Sequence, residues 1–230
     1  MKKQIAVVLL MFAFALPAFA DMGTDFRDHF NANGLASYNR DLATMIGQAD
    51  FHTGKSATFP SFDVGVSVAA VNTASDNFSS DDYFYAPYVT AETKLPFFNI
   101  TPALRGTTYN GFHSIGAGVK WNESIAIVNL GAAVFYDRYG TDYYDGDHFS
   151  ISMYGAVPVL VFTPYVGVGY DYSGIKTKDL GVNSGKTSYD GVMRYTAGIR
   201  FQPIPFVFAY GAYTYTKYNH GVQGGVGFNF

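Results

Sequence analysis

A side-chain period of two, repeated in segment after segment from residue 61 onward, is the feature that fewest folds can satisfy. In SFDVGVSVAAVN, Phe62, Val64, Val66 and Val68 share one parity, and Asp63, Gly65, Ser67 and Ala69 the other. Successive side chains of a strand point to opposite faces, so each such segment has one apolar and one polar or small face. The same alternation sets Val89 and Ala91 against Tyr88, Thr90 and Glu92, and Ile100, Pro102 and Leu104 against Thr101, Arg105 and Thr107. It opposes Ile115, Ala117, Val119 and Trp121 to Ser114, Gly116, Gly118 and Lys120, and Val128, Leu130, Ala132, Val134 and Tyr136 to Asn129, Gly131 and Asp137. Phe149, Ile151 and Met153 face away from Ser150, Ser152 and Tyr154; Val166, Val168, Tyr170 and Tyr172 away from Tyr165, Gly167, Gly169 and Asp171. Met193, Tyr195, Ala197, Ile199 and Phe201 oppose Arg194, Thr196, Gly198 and Arg200. FVFAYGAYTYT is aromatic on both parities and leaves its faces open, and GVQGGVGFNF completes about ten strands of the roughly 9 to 11 residues that a tilted strand needs to cross a bilayer.

Composition decides where the apolar faces point. Charged residues are 14% of the chain and aromatics 18%, whereas a soluble domain carries about 25% charge. No segment beyond the first twenty residues approaches the roughly 18 consecutive apolar residues of a helical span. Those first residues, MKKQIAVVLLMFAFALPAFA, have the charged, apolar and small-residue order of a cleaved secretory signal peptide. The chain has no cysteine, which argues against lipid anchoring and disulfides, and its net charge of −3 gives no reason to expect nucleic acid.

The connections test the same idea. KLPFFN, WNES, VPVL and QPIP are short and mostly contain Pro, which ends a ladder. They interleave with VNTASDNFSSDDY, a tight YNGF, RYGTDYYDGD, SGIKTKDLGVNSGKTSYDG and KYNHG, generally longer and rich in Asp, Ser and Gly. Alternating short turns and longer loops, with both ends of the strand array on the short-turn side, is the pattern of an outer-membrane barrel with periplasmic turns. A soluble β-sandwich or lipocalin-like barrel would also alternate, but its polar parity would meet water. Here that parity is rich in Gly, Ser and Thr with isolated charges, as a narrow filled lumen would be. The fold expected is therefore all-β, an antiparallel transmembrane up-and-down β-barrel of about ten strands (61–230), preceded by a short helical plug or rim segment (21–60).

In that preceding segment Leu35, Tyr38, Leu42, Met45 and Ile46 recur at spacings of three and four, the stripe of an amphipathic helix. The helix is expected to plug the lumen from the periplasmic side, to pack under the rim, or to meet a partner. Gly54-Lys55-Ser56 lacks the Gly a phosphate loop needs five residues earlier, where Ala49 stands.

Two resemblances follow from these residues. The last strand, with Val226, Phe228 and Phe230 on one parity, resembles the C-terminal signature by which bacterial outer-membrane barrels are recognised by their assembly machinery. The helix, FHTGKS, FPSFDVGV and terminal FNF together resemble a group of uncharacterised bacterial outer-membrane barrel proteins, mainly over residues 35–68. The resemblance implies location and fold, with outer-membrane lipids, lipopolysaccharide and the assembly machinery as partners, and supplies no substrate.

Chemistry-bearing residues gather on the lumen parity: Asp63, Glu92, Arg105, Lys120, Asp171, Arg194 and Arg200. Such charges either pair to rigidify the wall or form an eyelet that selects small ions. Strand direction puts Asp63, Glu92, Lys120 and Arg200 toward the periplasmic end and Arg194 higher. The omptin proteases, also ten-stranded, place acidic residues and a histidine at the outer rim; Asp81, Asp82, Asp145, Asp147 and His148 are the counterparts available here. Asp147 and His148 are adjacent, which in a strand sends them to opposite faces, against a joint role in activating water. No strand offers the serine, histidine and amide set of a phospholipase barrel. His29, His52, His113, His148 and His220 show no metal-ligand spacing, and nothing calls for a cofactor. The function expected is a narrow or gated pore, or a solute-binding barrel, without catalysis. The alternative is a structural or surface-interaction barrel with a closed lumen, and an omptin-like protease stands behind both.

Overall fold

The computed structural model describes residues 22–50, 61–73, 83–96 and 99–230. The signal-like segment, His52, FHTGKS and Asp81-Asp82 lie outside the described residues. Ten antiparallel strands close on themselves in sequence order: β1 (Phe62–Asn72), β2 (Tyr83–Thr93), β3 (Ile100–Tyr109), β4 (Phe112–Ile125), β5 (Val128–Gly140), β6 (Tyr144–Ala156), β7 (Phe162–Thr177), β8 (Thr187–Ile204), β9 (Val207–Thr216) and β10 (His220–Asn229). β10 returns to β1 in the register Val66↔Val226 and Val64↔Phe228, and Phe62 and Phe230 exchange backbone hydrogen bonds beyond the last pair. Closure removes the sheet edge and, apart from a stretch between β2 and β3, satisfies the wall's backbone internally, as a membrane span requires.

The faces are inverted relative to a soluble barrel. Leu104, Ile115, Val134, Ile151, Met153, Val166 and Ile199 are exposed on the outside, while Arg105, Asp137, His148, Asp171 and Arg194 are buried within. Aromatic residues mark both margins of this apolar belt. Phe162 stacks on Phe201 toward the end that carries Phe62 and Phe230, and Tyr136, Phe149 and Tyr172 lie in register near the other. These are the girdles expected at two water–lipid interfaces. The faces of β9, open in the sequence, are resolved by neighbours: Phe208 and Tyr210 point inward, Tyr213 and Tyr215 outward.

We call the end bearing Phe62 and Phe230 the terminus end and the opposite one the loop end. Connections at the terminus end run over 94–99, 126–127, 157–161 and 205–206. Strand β4 therefore absorbs WNES, and its turn falls two residues later. At the loop end Asn110 and Gly111 both have positive φ (46° and 73°), the primed turn that matches strand twist and explains the tight YNGF. The expected long loops RYGTDYYDGD and SGIKTKDLGVNSGKTSYDG are mostly strand, leaving only 141–143 and 178–186 as connections. Strand lengths thus run from 10 residues in β3 to 18 in β8 rather than near the minimum for crossing. β8 continues through 187–193 beyond its last pair with β9, Arg194↔Thr216.

The extension supports the N-terminal segment. Helix α1 (Met22–Asp28), one 3-10 turn (Ala32–Gly34) and helix α2 (Leu35–Gln48) lie at and inside the loop end. Asn31 caps the turn by accepting from Asn33 N–H at 3.0 Å. Met22 N–H donates to Asn110 O at the loop-end turn, so the segment fills the loop-end half of the lumen and not the terminus end, the side from which a plug is expected on sequence alone. An apolar stripe reports that a helix is buried, not by which mouth it enters. Leu35, Tyr38, Leu42, Met45 and Ile46 pack with Phe26, Val71, Phe84, Ala86, Phe112 and Tyr144 in one apolar cluster.

Candidate functional site: a charged ring that holds the helix in the barrel

The polar side of α2 is buried too, and finds partners on the wall. Asn39 Nδ2 donates to Ser173 O at 2.8 Å and Asn39 Oδ1 accepts from Tyr139 OH at 2.9 Å. Asp41 accepts from Asn219 Nδ2 at 2.7 Å. Arg40 pairs with Asp190 on the β8 extension at 2.6 Å and lies over the Tyr218 ring at 4.2 Å. A helix end buried in a lumen has to satisfy its last polar groups. Asp50, just past α2, donates its backbone N–H to Gly47 O at 3.1 Å and turns its side chain to the wall.

Asp50 bridges two arginines. Arg105 Nη1 donates to its Oδ1 at 2.6 Å and Arg194 Nη2 to its Oδ2 at 2.8 Å, with Ser150 and Ser152 hydroxyls donating at 3.1 and 2.5 Å. Each arginine also forks onto its own carboxylate: Arg105 holds Asp137 at 2.7 and 2.6 Å, and Arg194 holds Asp171 at 2.8 and 3.2 Å. His148 closes the circuit, Nδ1 against Asp137 at 3.1 Å and Nε2 against Asp171 at 3.3 Å. A carboxylate only accepts, so this geometry suits an imidazolium that donates from both ring nitrogens. Three carboxylates, two guanidiniums and one imidazolium then sum to zero within a ring whose side chains are at most 1% exposed. Burial works against ionisation of Asp50, but Arg105, Arg194 and Ser152 outweigh it and hold its carboxyl below the usual range.

Glycines make the approach possible. A Cβ at Gly47 would come within 2.2 Å of Asp171 Oδ1, and one at Gly116 would collide with Asp137 Oδ1. Gly47 therefore lets α2 lie against the acidic wall, and no larger residue fits there without displacement.

The seven lumen charges singled out in the sequence are all buried, but they form two layers. Arg105, Asp171 and Arg194 belong to the ring around Asp50. Nearer the terminus end, Lys120 pairs with Glu92 at 2.5 Å, Asp63 accepts from Asn229 Nδ2, and Arg200 lies 3.8 Å over the Phe208 ring with Gln202 as hydrogen-bond partner. Beyond them a cavity of about 680 Å³ opens among Ser124, Asn129, Thr163, Gln202 and Phe206. The residues missed were Asp50, Asp137 and His148. Asp137 and His148 lay on the lumen parity and could have been found; Asp50 sits outside every periodic segment and carried no signal. Of the protease-like residues, Asp145 turns outward to Lys178 and Asp147 to Tyr136 and Arg138, while His148 points into the lumen. Val226 and Phe228 face outward beside β1, and Phe230 is exposed at the terminus end.

No protein-family model matches the chain, and no curated protein matches it by sequence. Solved structures do. The COG4313 outer membrane channel from Pseudomonas putida F1 superposes on 78% of this chain and 100% of its own, at 8% identity and a TM-score of 0.53. The translocator domain of autotransporter NalP from Neisseria meningitidis covers 90% of this chain and 99% of its own, at 16% identity and a TM-score of 0.48. A loop-deleted OmpT, an outer membrane protein of Vibrio cholerae, aligns with 64% of this chain at 12% identity and a TM-score of 0.35; this chain spans about half (54%) of its length. The first of these likenesses, together with the closed ten-strand wall, defines the fold as that of a bacterial outer-membrane β-barrel.

Proposed function

We propose that the protein resides in the bacterial outer membrane, with the terminus end toward the periplasm, as a narrow gated pore without catalysis whose axial passage is held shut by its own N-terminal helices. The outward apolar belt and its aromatic margins support the location. The observation that carries the closure is Asp50: the residue that follows the plug helix is shared between two wall arginines, so helix and wall are joined by a neutral ring. Deleting one member of such a ring leaves its partners buried and uncompensated, whereas withdrawal of Asp50 with the helix leaves each arginine its own aspartate. The cavity at the terminus end and the fold shared with a protein described as a channel favour passage over a purely structural barrel. The competing reading, a permanently closed surface anchor, is favoured by the pairing of Asn39, Arg40 and Asp41 with the wall.

Conductance of the refolded full chain in planar bilayers separates them. The gated pore predicts rare, small openings in the native protein and at least a tenfold larger open fraction in Asp50→Asn. Silence from both, with folded barrels confirmed by heat-modifiable migration on gels, would leave the anchor reading standing.

A further inference from the structure

One seam of the wall is incomplete. β1 and β2 pair from Phe62↔Thr93 to Asn72↔Tyr83, and β3 and β4 from Ile100↔Trp121 to Tyr109↔Phe112. Between these hairpins, β2 and β3 pair only from Val89↔Gly106 to Glu92↔Ala103. Residues 83–88 and 107–109 are strand on both sides, yet no ladder joins them.

The sequence explains where the ladder stops. Lys94 N–H donates to Ser61 O on the β1 side at 3.1 Å. Backbone amides alternate along a strand, so the even-numbered amides of β2 face β1 and the odd-numbered ones face β3. Two residues beyond Val89, the next amide due to donate to β3 belongs to Pro87, which has none. The strands separate there and meet again only through side chains, where the hydroxyls of Tyr85 and Tyr109 bond at 3.1 Å.

What lies on each side of the gap differs from the rest of the lumen. Outside, a groove of about 580 Å³ runs over Val89, Ala91, Leu104 and Ile115, continuous with the apolar belt. Inside, Phe84, Ala86, Tyr88 and Phe112 belong to the apolar cluster around Leu42 and Met45 rather than to a charged layer. On the lumen side of the gap, the hydroxyls of Tyr88, Thr107 and Ser114, from β2, β3 and β4, are buried; Tyr88 and Ser114 lie beside each other, and none of the three completes a well-formed hydrogen bond. A buried hydroxyl without a full hydrogen bond is costly to the fold, and a ligand's polar group would recover that cost. Two ionisable groups line the groove: Arg105 is already committed to Asp137 and Asp50, and His113 stands exposed at its loop-end margin, away from the buried hydroxyls, so the group received there is neutral.

We propose that the β2–β3 gap is a lateral port that binds a neutral single-chain amphiphile from the bilayer, its alkyl chain in the Val89, Leu104 and Ile115 groove and its carbonyl or hydroxyl head on Tyr88, Thr107 and Ser114. Between the Tyr85–Tyr109 clasp and the Val89–Gly106 pair the gap is about 10 Å high along β3 and about 13 Å along β2 at the usual rise per residue, and its hydroxyls offer a single small head-group site, which suits one chain with one small head. The port rests on the barrel standing in a bilayer, and is independent of whether the axial passage opens.

The test uses the full chain refolded into phosphatidylcholine vesicles containing a monoacylglycerol with a photoreactive diazirine on its alkyl chain, with labelled peptides mapped by mass spectrometry. Labelling is expected to concentrate on the segments carrying Val89, Leu104 and Ile115. It should fall at least fivefold in Pro87→Val, which restores the donor, and in Ser114→Ala, which removes a head contact without touching the ladder. The same diazirine on a two-chain phosphatidylcholine should label the belt evenly. Even labelling by the monoacyl probe, or concentrated labelling that neither variant changes, would overturn the port. Absence of labelling by both lipids would instead sink the bilayer location on which the port depends.

Discussion

The seam between β7 and β8 and the seam between β2 and β3 are made from similar alternating residues, yet one pairs unbroken from Phe162↔Phe201 to Lys176↔Thr187 and the other over four residues. The long seam carries the plug: Ser173, Asp171, Arg194 and Asp190 all reach α2 or Asp50 from it. The short one faces the apolar flank of the helix along its unpaired stretch and reaches Asp50 through Arg105 at its paired end. The plug is thus fastened by charge to β7 and β8 and to Arg105 at the paired end of the short seam, and lies against the unpaired stretch of β2 through apolar side chains. A single missing amide at Pro87 accounts for much of the difference.

The largest effect should come from breaking the fastened side. Arg194→Leu leaves Asp171 and Asp50 short of a buried partner and is expected to lower unfolding stability in detergent by about 3–5 kcal/mol, measured by denaturant titration with gel migration as readout. Gly47→Ala comes next and tests the geometry by sign. Helix propensity alone predicts a gain of about 1 kcal/mol, whereas the contact with Asp171 predicts a loss of about 1–3 kcal/mol. Acid probes the same side more gently. Because the folded Asp50 carboxyl is held below its ordinary range, its contribution is complete above the unfolded value of about 3.9 and disappears as pH falls through the lower folded one. Plug retention, followed by protease access to α2, should therefore be constant from pH 7 to 5 and fail only below about pH 4.

On the loose side, Pro87→Val should raise stability by about 1 kcal/mol by adding one ladder bond, and slow amide exchange in β2 and β3 above Val89 without altering β7–β8. The smallest effect is expected for Lys178→Ala, whose pair with Asp145 is solvent-exposed; a change beyond about 1 kcal/mol would mean that the loop-end pair contributes more than its exposure allows.

The wall was legible in the sequence because a period of two has a single structural meaning when repeated so often, and because each strand must show one face to lipid. Where both parities were aromatic, as in Phe208, Tyr210, Tyr213 and Tyr215, periodicity was silent and only the neighbours decided the faces. The loop-end extensions were hidden because Tyr, Asp and Gly above a membrane belt serve equally as strand or loop. Asp50 was illegible for a different reason: its role depends on which mouth the helix occupies, and that is fixed by contacts with β6 to β8 far along the chain. Pro87 stood in view within FYAPYVTAETK, but its consequence needed the register that turns its nitrogen toward β3.

The position of α1 at the loop-end mouth gives the molecule a mechanical side. α1 is held there through Arg27 to Tyr143 and through Phe26 against Tyr144, while Asp50 is fixed among the arginines at the far end of α2, about 20 Å away at the rise of a helix of that length. A tug on α1 from beyond the loop end therefore first peels a few aromatic contacts and then loads the arginine bridge lengthwise through a stiff rod, so that tension applied at the surface is felt at the centre of the barrel.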